Sequence, residues 1–369
     1  MALLVSRYPG PAASCALLER NELERAGLSV VVLSLHRGPW TWRVLSLHRA
    51  LRFLRARGKA CLRALAELAP ELLRRPALLP RVVRSFELAE QVERLGAAHV
   101  HAGEAGPAGL AAHVIHRVCG VPFSLTAGAA EAARPSRHTR RALAAAAFVR
   151  CRWESDRAAL ERRFGGLGGR LRVIRSGVGG VEEPAPAVPS GRIVCVGPLD
   201  ERGGHLVLVA ACLRLRRRGL DFACDLVGDG PLRVRVEAAI DGAGLQREVH
   251  VLGGVEDVAP RLEQAALVVH AGLEEGEARD EVWLPLLQAM AARRAIVAPE
   301  VAATRELVED GVSGVLVPAG DPDALADVME RLLRQPEVAR WLGEQARRKV
   351  GREFALARSG RQLVEALRS

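Results

Sequence analysis

The feature that most constrains this chain is an alternation. Short apolar, β-branched runs fall at 2–6, 28–35, 98–102, 121–126, 147–151 and 171–175. They recur at 192–196, 222–227, 248–252, 266–270, 294–298 and 314–317. Helical segments such as 13–26, 206–218 and 322–334 lie between them. Near-continuous apolar strands separated by helices belong to parallel sheets covered on both faces. The series is interrupted at Glu182-Glu183-Pro184-Ala185-Pro186-Ala187-Val188-Pro189-Ser190-Gly191, where three prolines in ten residues make a stiff linker. The expected fold is α/β, with two doubly wound Rossmann-like domains facing a cleft. Residues 1–183 form the first domain, 184–191 the linker and 192–349 the second. A C-terminal helix over 350–369 can cross back to the first domain. A length of 369 residues suits two domains.

Composition narrows the class. Hydrophobic residues are 49% and charged residues 26% of the chain, which excludes a disordered or collagen-like chain. No run reaches the roughly 18 apolar residues of a membrane span, and the N-terminus lacks the basic start and apolar core of a signal peptide. A cytoplasmic protein is expected. The seven cysteines include no C-x-x-C pair and read as buried small hydrophobes in a reducing compartment. His113 and His116 share a helix face, but no carboxylate or cysteine completes a metal site with them, so no metal is expected.

The formal charge of +10 is unevenly placed. Only Lys59 and Lys349 are lysines, and the stretch from Arg43 to Arg84 carries nearly the whole excess. Trp40 and Trp42 precede an amphipathic, arginine-rich run there. Interfacial tryptophans beside a cationic helix suit an anionic membrane surface through 40–84; the alternative is a solvated helix packed on the sheet. Nucleic acid is not expected, because no binding module accompanies the charge.

Neither a dinucleotide fingerprint nor a phosphate-cradling Walker loop is present. Gly228-Asp229-Gly230-Pro231 follows an apolar strand and opens a helix. It is either a plain strand-to-helix turn or a loop whose amides meet a phosphate.

Several segments, in order, resemble glycosyltransferase family 4, retaining enzymes of the GT-B fold that use nucleotide-sugar donors. They include Ser6-Arg7-Tyr8-Pro9, His99-Val100-His101-Ala102, Gly120–Ala127 and Val173–Val178. In the second half they are Val196-Gly197, Leu226–Pro231, Gln288-Ala289-Met290-Ala291 and Glu306–Pro318. The resemblance implies transfer of a sugar from a nucleotide sugar to a saccharide or lipid-linked acceptor, in polysaccharide or cell-envelope synthesis, without a metal cofactor. It implies a donor site at Gly197, Gly228, Asp229, Gly230, Glu281, Val282, Leu284 and Gln288. Asp280 and Arg202 take the catalytic places, and Tyr8, Gly10, His101 and Gly128 the acceptor side.

Charge on the departing diphosphate must be met by cations and N–H dipoles, and the resembled pattern has an arginine and a lysine after the first strand of the second domain. Here Pro198 and Gly203 stand at those places, with Arg202 one residue away. Asp280 and Gln288 occupy the two carboxylate positions, Gly128 the place of a histidine and Gly179 that of an aspartate. Two readings follow. One is an active transferase, docked peripherally on the inner face of the membrane. The other is a catalytically impaired relative that serves as a binding or partner subunit of another glycosyltransferase.

Overall fold

The computed structural model describes residues 1–5, 20–35, 57–179, 191–255, 257–272 and 280–368. Among them the apolar runs form strands at the expected places. In the first half these are β1 (Ala2–Val5), β2 (Val31–Ser34), β3 (Val100–Ala102), β4 (Phe123–Thr126), β5 (Val149–Cys151) and β6 (Leu171–Val173). In the second they are β7 (Arg192–Val196), β8 (Ala223–Val227), β9 (Val249–Gly253), β10 (Leu267–Val269), β11 (Ala295–Pro299) and β12 (Val315–Val317).

They make two six-stranded parallel sheets, ordered β2-β1-β3-β4-β5-β6 and β12-β11-β10-β7-β8-β9. Ile193, Val194, Leu267 and Val268, paired across β7 and β10, are all buried. Each order reverses direction once, between β1 and β3 in the first sheet and between β7 and β10 in the second. Loops leaving the carboxyl ends of two such strands run to opposite faces, and the crevice between them is where open α/β sheets hold ligands.

The chain divides into two compact units, Met1–Ser176 with Ser359–Ser369, and Gly177–Arg358. The division falls before the proline-rich segment because residues 177–179 pair with the C-terminal region of the second unit. Val178 N–H donates to Phe354 O at 2.9 Å and Leu356 N–H to Val178 O at 3.1 Å. The helix Leu356–Arg368 begins in the second unit, and most of it belongs to the first. There Leu363, Val364 and Ala366 pack with Leu3, Leu23, Val30, Phe148 and Ile174.

A buried arginine fastens this junction of the first unit. Arg150 is fully enclosed. It donates from Nε to Ile174 O at 2.8 Å and from Nη2 to Ser176 Oγ at 3.1 Å. Ser359 Oγ donates to the neighbouring Arg175 O at 2.6 Å. Burying a guanidinium is tolerable only when its forked donors find acceptors, and strand-end carbonyls and serine hydroxyls supply them here.

Candidate functional site

The second unit's switch point is built from backbone laid on backbone. Gly197 N–H donates to Val227 O at 3.0 Å, Leu199 N–H to Asp229 O at 3.0 Å, and Leu232 N–H returns to Leu199 O at 2.8 Å. The turns after β7 and β8 are thereby zipped together. A Cβ on Gly228, whose φ is +154°, would lie 1.9 Å from Gly197 O, and one on Gly230 would lie 2.4 Å from Leu199 O. The glycines are required by this close approach. Four of the sequence-derived donor positions, Gly197, Gly228, Asp229 and Gly230, are therefore neighbours.

The amides of the three glycines are already occupied, Gly197 as above. Gly228 N–H donates to Gly253 O at 2.9 Å, and Gly230 N–H to Asp229 Oδ1 at 2.8 Å. Of the two readings of this turn, the plain strand-to-helix turn is the one its hydrogen bonds describe. The next loop also turns its donors inward: Asp200 Oδ1 accepts from Arg202 N–H and Gly203 N–H, each at 3.1 Å.

Gly203 cannot be read as a vacant lysine position. A Cβ there would lie 2.4 Å from Pro198 O and 2.6 Å from His205 Nδ1, so the loop path leaves no room for a side chain. Gly204, at φ +65°, brings the loop against the end of β10, where a Cβ would lie 1.7 Å from Ala271 O. The helix His205–Arg217 starts at this contact. Val207 N–H and Leu208 N–H already donate to Gly204 O at 2.9 and 3.2 Å, and the helix dipole is positive at this end.

Two histidines flank the switch point, and the sequence reading did not single them out. His205 is buried, and among the described residues neither ring nitrogen has a hydrogen-bond partner. Burial holds its pKa down at about 4, with Asp200 acting in the opposite direction. His270 directly follows β10; a Cβ on Gly272 would lie 2.6 Å from its Nε2. Burial, then the nearby His205, holds His270 at about 4 as well. Their sequence signals were position alone: one opens a helix after a double glycine, and the other ends an apolar run.

The helix Asp280–Ala291 supplies the other expected donor residues. Asp280, Glu281 and Val282 open it. Positions 280, 284 and 288 are spaced by four residues and so share one face. Leu284 and Gln288 are half-buried, whereas the adjacent Trp283, Leu286 and Leu287 turn into the core.

In the first unit the structure corrects one assignment. His101 was expected to face an acceptor; it is fully buried, with Nδ1 2.7 Å from Ser124 Oγ and Nε2 3.2 Å from Thr126 Oγ1. Both ring nitrogens are consumed, and burial, followed by Arg150, holds the ring far below its usual pKa. It is a core histidine because β3 pairs directly with β4, setting His101 opposite Ser124. Gly128, at the end of β4, donates its N–H to Glu131 Oε2 at 2.9 Å, and burial raises the Glu131 carboxyl. A Cβ on Gly128 would lie 2.4 Å from Asp156 Oδ1, so a carboxylate fills the place of a side chain there. Tyr8 and Gly10 lie outside the described residues, as do Trp40, Trp42 and the arginine-rich run up to residue 56.

Comparison with known proteins agrees with this architecture. Residues 190–335 match the family model described as Glycosyl transferases group 1. Among curated proteins, alpha-D-kanosaminyltransferase of Streptomyces kanamyceticus is 31% identical over 174 residues, 47% of this chain and 44% of that protein. The amylovoran biosynthesis glycosyltransferase AmsK of Erwinia amylovora is 32% identical over 48% of this chain and 44% of its own. These matches thus span less than half the length of the relatives. Among solved structures, Anabaena Alr3699/HepE in complex with UDP and glucose superposes with a TM-score of 0.74, at 16% identity over 100% of this chain and 99% of that one. The lipopolysaccharide outer core galactosyltransferase WaaB gives 0.67 at 12% identity, over 100% and 99%. Residues 190–335 are therefore similar to the glycosyl transferases group 1 family, and the chain as a whole has the GT-B fold.

Proposed function

We propose that this protein is a retaining glycosyltransferase that moves a sugar from a nucleotide-sugar donor to a saccharide or lipid-linked acceptor, in polysaccharide or cell-envelope synthesis. The observation that carries the reading is the switch point between β7 and β10, lying within the stretch that matches the family. There a glycine-lined loop delivers the start of a 13-residue helix to the crevice. Transfer leaves a nucleoside diphosphate, so negative charge grows on the phosphate next to the breaking bond, and a positive helix end is fixed in advance to meet it. Named relatives support the process: AmsK is an amylovoran biosynthesis glycosyltransferase, and LpcC of Rhizobium leguminosarum is a lipopolysaccharide core biosynthesis mannosyltransferase.

In this reading the helix start and Arg202 hold the diphosphate. Asp280 and Gln288, sharing one helix face, approach the donor sugar and the ribose. The reaction draws on no metal cofactor, and EDTA in the assay tests that. The decisive experiment incubates the full chain with UDP-, GDP- and ADP-sugars and measures binding by calorimetry and nucleoside diphosphate release with saccharide and lipid-linked acceptors. At least one donor binds and is turned over. If none binds, the reading fails.

Peripheral docking on an anionic membrane surface is part of the proposal. In the helix Gly58–Arg74, Cys61, Ala64 and Leu68 are buried, while Leu62 and Leu73 are 65% and 85% exposed near Lys59, Arg63, Arg74 and Arg75. Exposed leucines among cations suit a bilayer interface. Among the described residues, no helix is long and apolar enough to cross a membrane. Flotation with phosphatidylglycerol vesicles, lost in a Leu62→Glu/Leu73→Glu variant, checks the docking; equal flotation of both proteins would refute it.

A further inference from the structure

The switch point holds a buried imidazole at the start of the His205–Arg217 helix. His205 is 3% exposed, and both ring nitrogens are without partners among the described residues. A neutral imidazole carries one donor and one acceptor, and leaving both buried and unmatched is a standing penalty unless a ligand answers them. The ring occupies the space that a side chain on residue 203 would need, with Nδ1 2.6 Å and Cε1 2.7 Å from that Cβ position. It is also the first residue of the His205–Arg217 helix, so it stands at the positive end of that dipole.

Among the described residues, two charged or titratable groups act around this ring: Asp200 and His270. Asp200 acts on His205 from the loop, and His270 faces it from the end of β10. Arg202 O lies 3.3 Å from the Cβ position of Gly272, beside the His270 ring. Both imidazoles are neutral near pH 7, because burial disfavours their charge. An incoming dianion reverses that balance.

We propose that His205 is a donor-binding residue whose imidazole hydrogen-bonds the diphosphate of the nucleotide sugar and takes up one proton from solvent as that anion arrives. The proposal rests on the donor reading above and adds to it a named residue and a proton. The imidazolium serves as a cation at a place where the loop has no room for a lysine, and it returns the proton when the nucleoside diphosphate leaves. No bond of the donor is made or broken in this step. His270 is the neighbour across the switch point.

The test uses the full chain and UDP-glucose, GDP-mannose and ADP-glucose, whose diester diphosphates do not themselves titrate near neutrality. Calorimetry of the tightest-binding donor, in two buffers of different ionisation enthalpy, counts protons taken up on binding. The expected result at about pH 6 is uptake approaching one proton, with affinity falling at least about fivefold between pH 6 and pH 8. His205→Gln abolishes the uptake and weakens binding about tenfold, while His270→Gln keeps the uptake. Thermal unfolding of each variant reports whether it folds, and the wild-type proton count needs no variant at all. Donor binding without proton uptake overturns the proposal and leaves the donor reading standing. Uptake that survives His205→Gln and vanishes in His270→Gln also overturns it. Failure of all three donors to bind sinks the donor reading first.

Discussion

Replacing Gly204 with alanine tests whether the start of the His205–Arg217 helix is truly pinned against the end of β10. The new Cβ would lie 1.7 Å from Ala271 O. An ordinary carbon–oxygen contact is about 3.3 Å, so the chain must withdraw by roughly 1.6 Å. Overpacking of that kind costs about 1–3 kcal/mol. Alanine at the φ of +65° adds about 1–2 kcal/mol. The sum, about 2–5 kcal/mol, corresponds to a fall of about 5–15 °C in the unfolding midpoint of a unit this size. The displaced helix start should also weaken donor binding at least about tenfold. Gly219, just beyond the other end of the same helix, is the internal control. Its φ is +71°, and a Cβ there meets no atom within 4 Å. Gly219→Ala should lose only the backbone share, about 1–2 kcal/mol, and leave donor affinity unchanged. Calorimetric unfolding of both variants, with donor titrations alongside, isolates the steric share. Equal losses of stability and affinity in the two variants would refute the close-approach argument.

Four further outcomes follow from the same geometry. Asp200→Asn keeps an acceptor for the amides of Arg202 and Gly203 but removes a negative charge beside the helix start; titration should show donor affinity raised about threefold to tenfold. Gly203→Lys should not restore a phosphate grip: the side chain meets Pro198 O, so stability falls and turnover does not rise, and a gain in turnover would show that the loop takes another path. His205 and His270 have folded pKa values of about 4 against an unfolded value near 6.5, so their stabilisation is full above pH 6.5 and is lost as pH falls toward 4. Each contributes a slope of about 1.4 kcal/mol per pH unit in that window; urea unfolding at pH 7, 6 and 5 should show it, and a flat profile would contradict the burial of these rings. Arg150→Met leaves Ile174 O and Ser176 Oγ without their donor, and the first unit should lose about 3 kcal/mol in urea unfolding.

The primary sequence carried the architecture. A β-strand buried on both faces must be apolar along its length, so its signature is local, and the runs that form β1 through β12 were visible one by one. The turn at Gly228–Gly230 was legible for a local reason too: glycines and a proline directly after an apolar strand mark a strand-to-helix turn. The Asp280–Ala291 helix was not among the helical segments expected; the structure supplies it and with it the spacing that sets 280, 284 and 288 on one face.

What the sequence misjudged depended on partners distant along the chain. His101 looked available until β3 pairing with β4 set Ser124 and Thr126 against its two nitrogens. Gly203 resembled a lost lysine, whereas the loop closes so tightly on Pro198 and His205 that no side chain fits. The boundary between the units moved because residues 177–179 pair with residues more than 170 positions later. His205 and His270 lie 65 positions apart, and only the reversal of strand order between β7 and β10 makes them neighbours. Strand and helix are written in local periodicity, but the environment of a titratable ring is set by whatever the tertiary fold packs against it. The scaffold could therefore be read from the chain, while the protonation state of its candidate site could not.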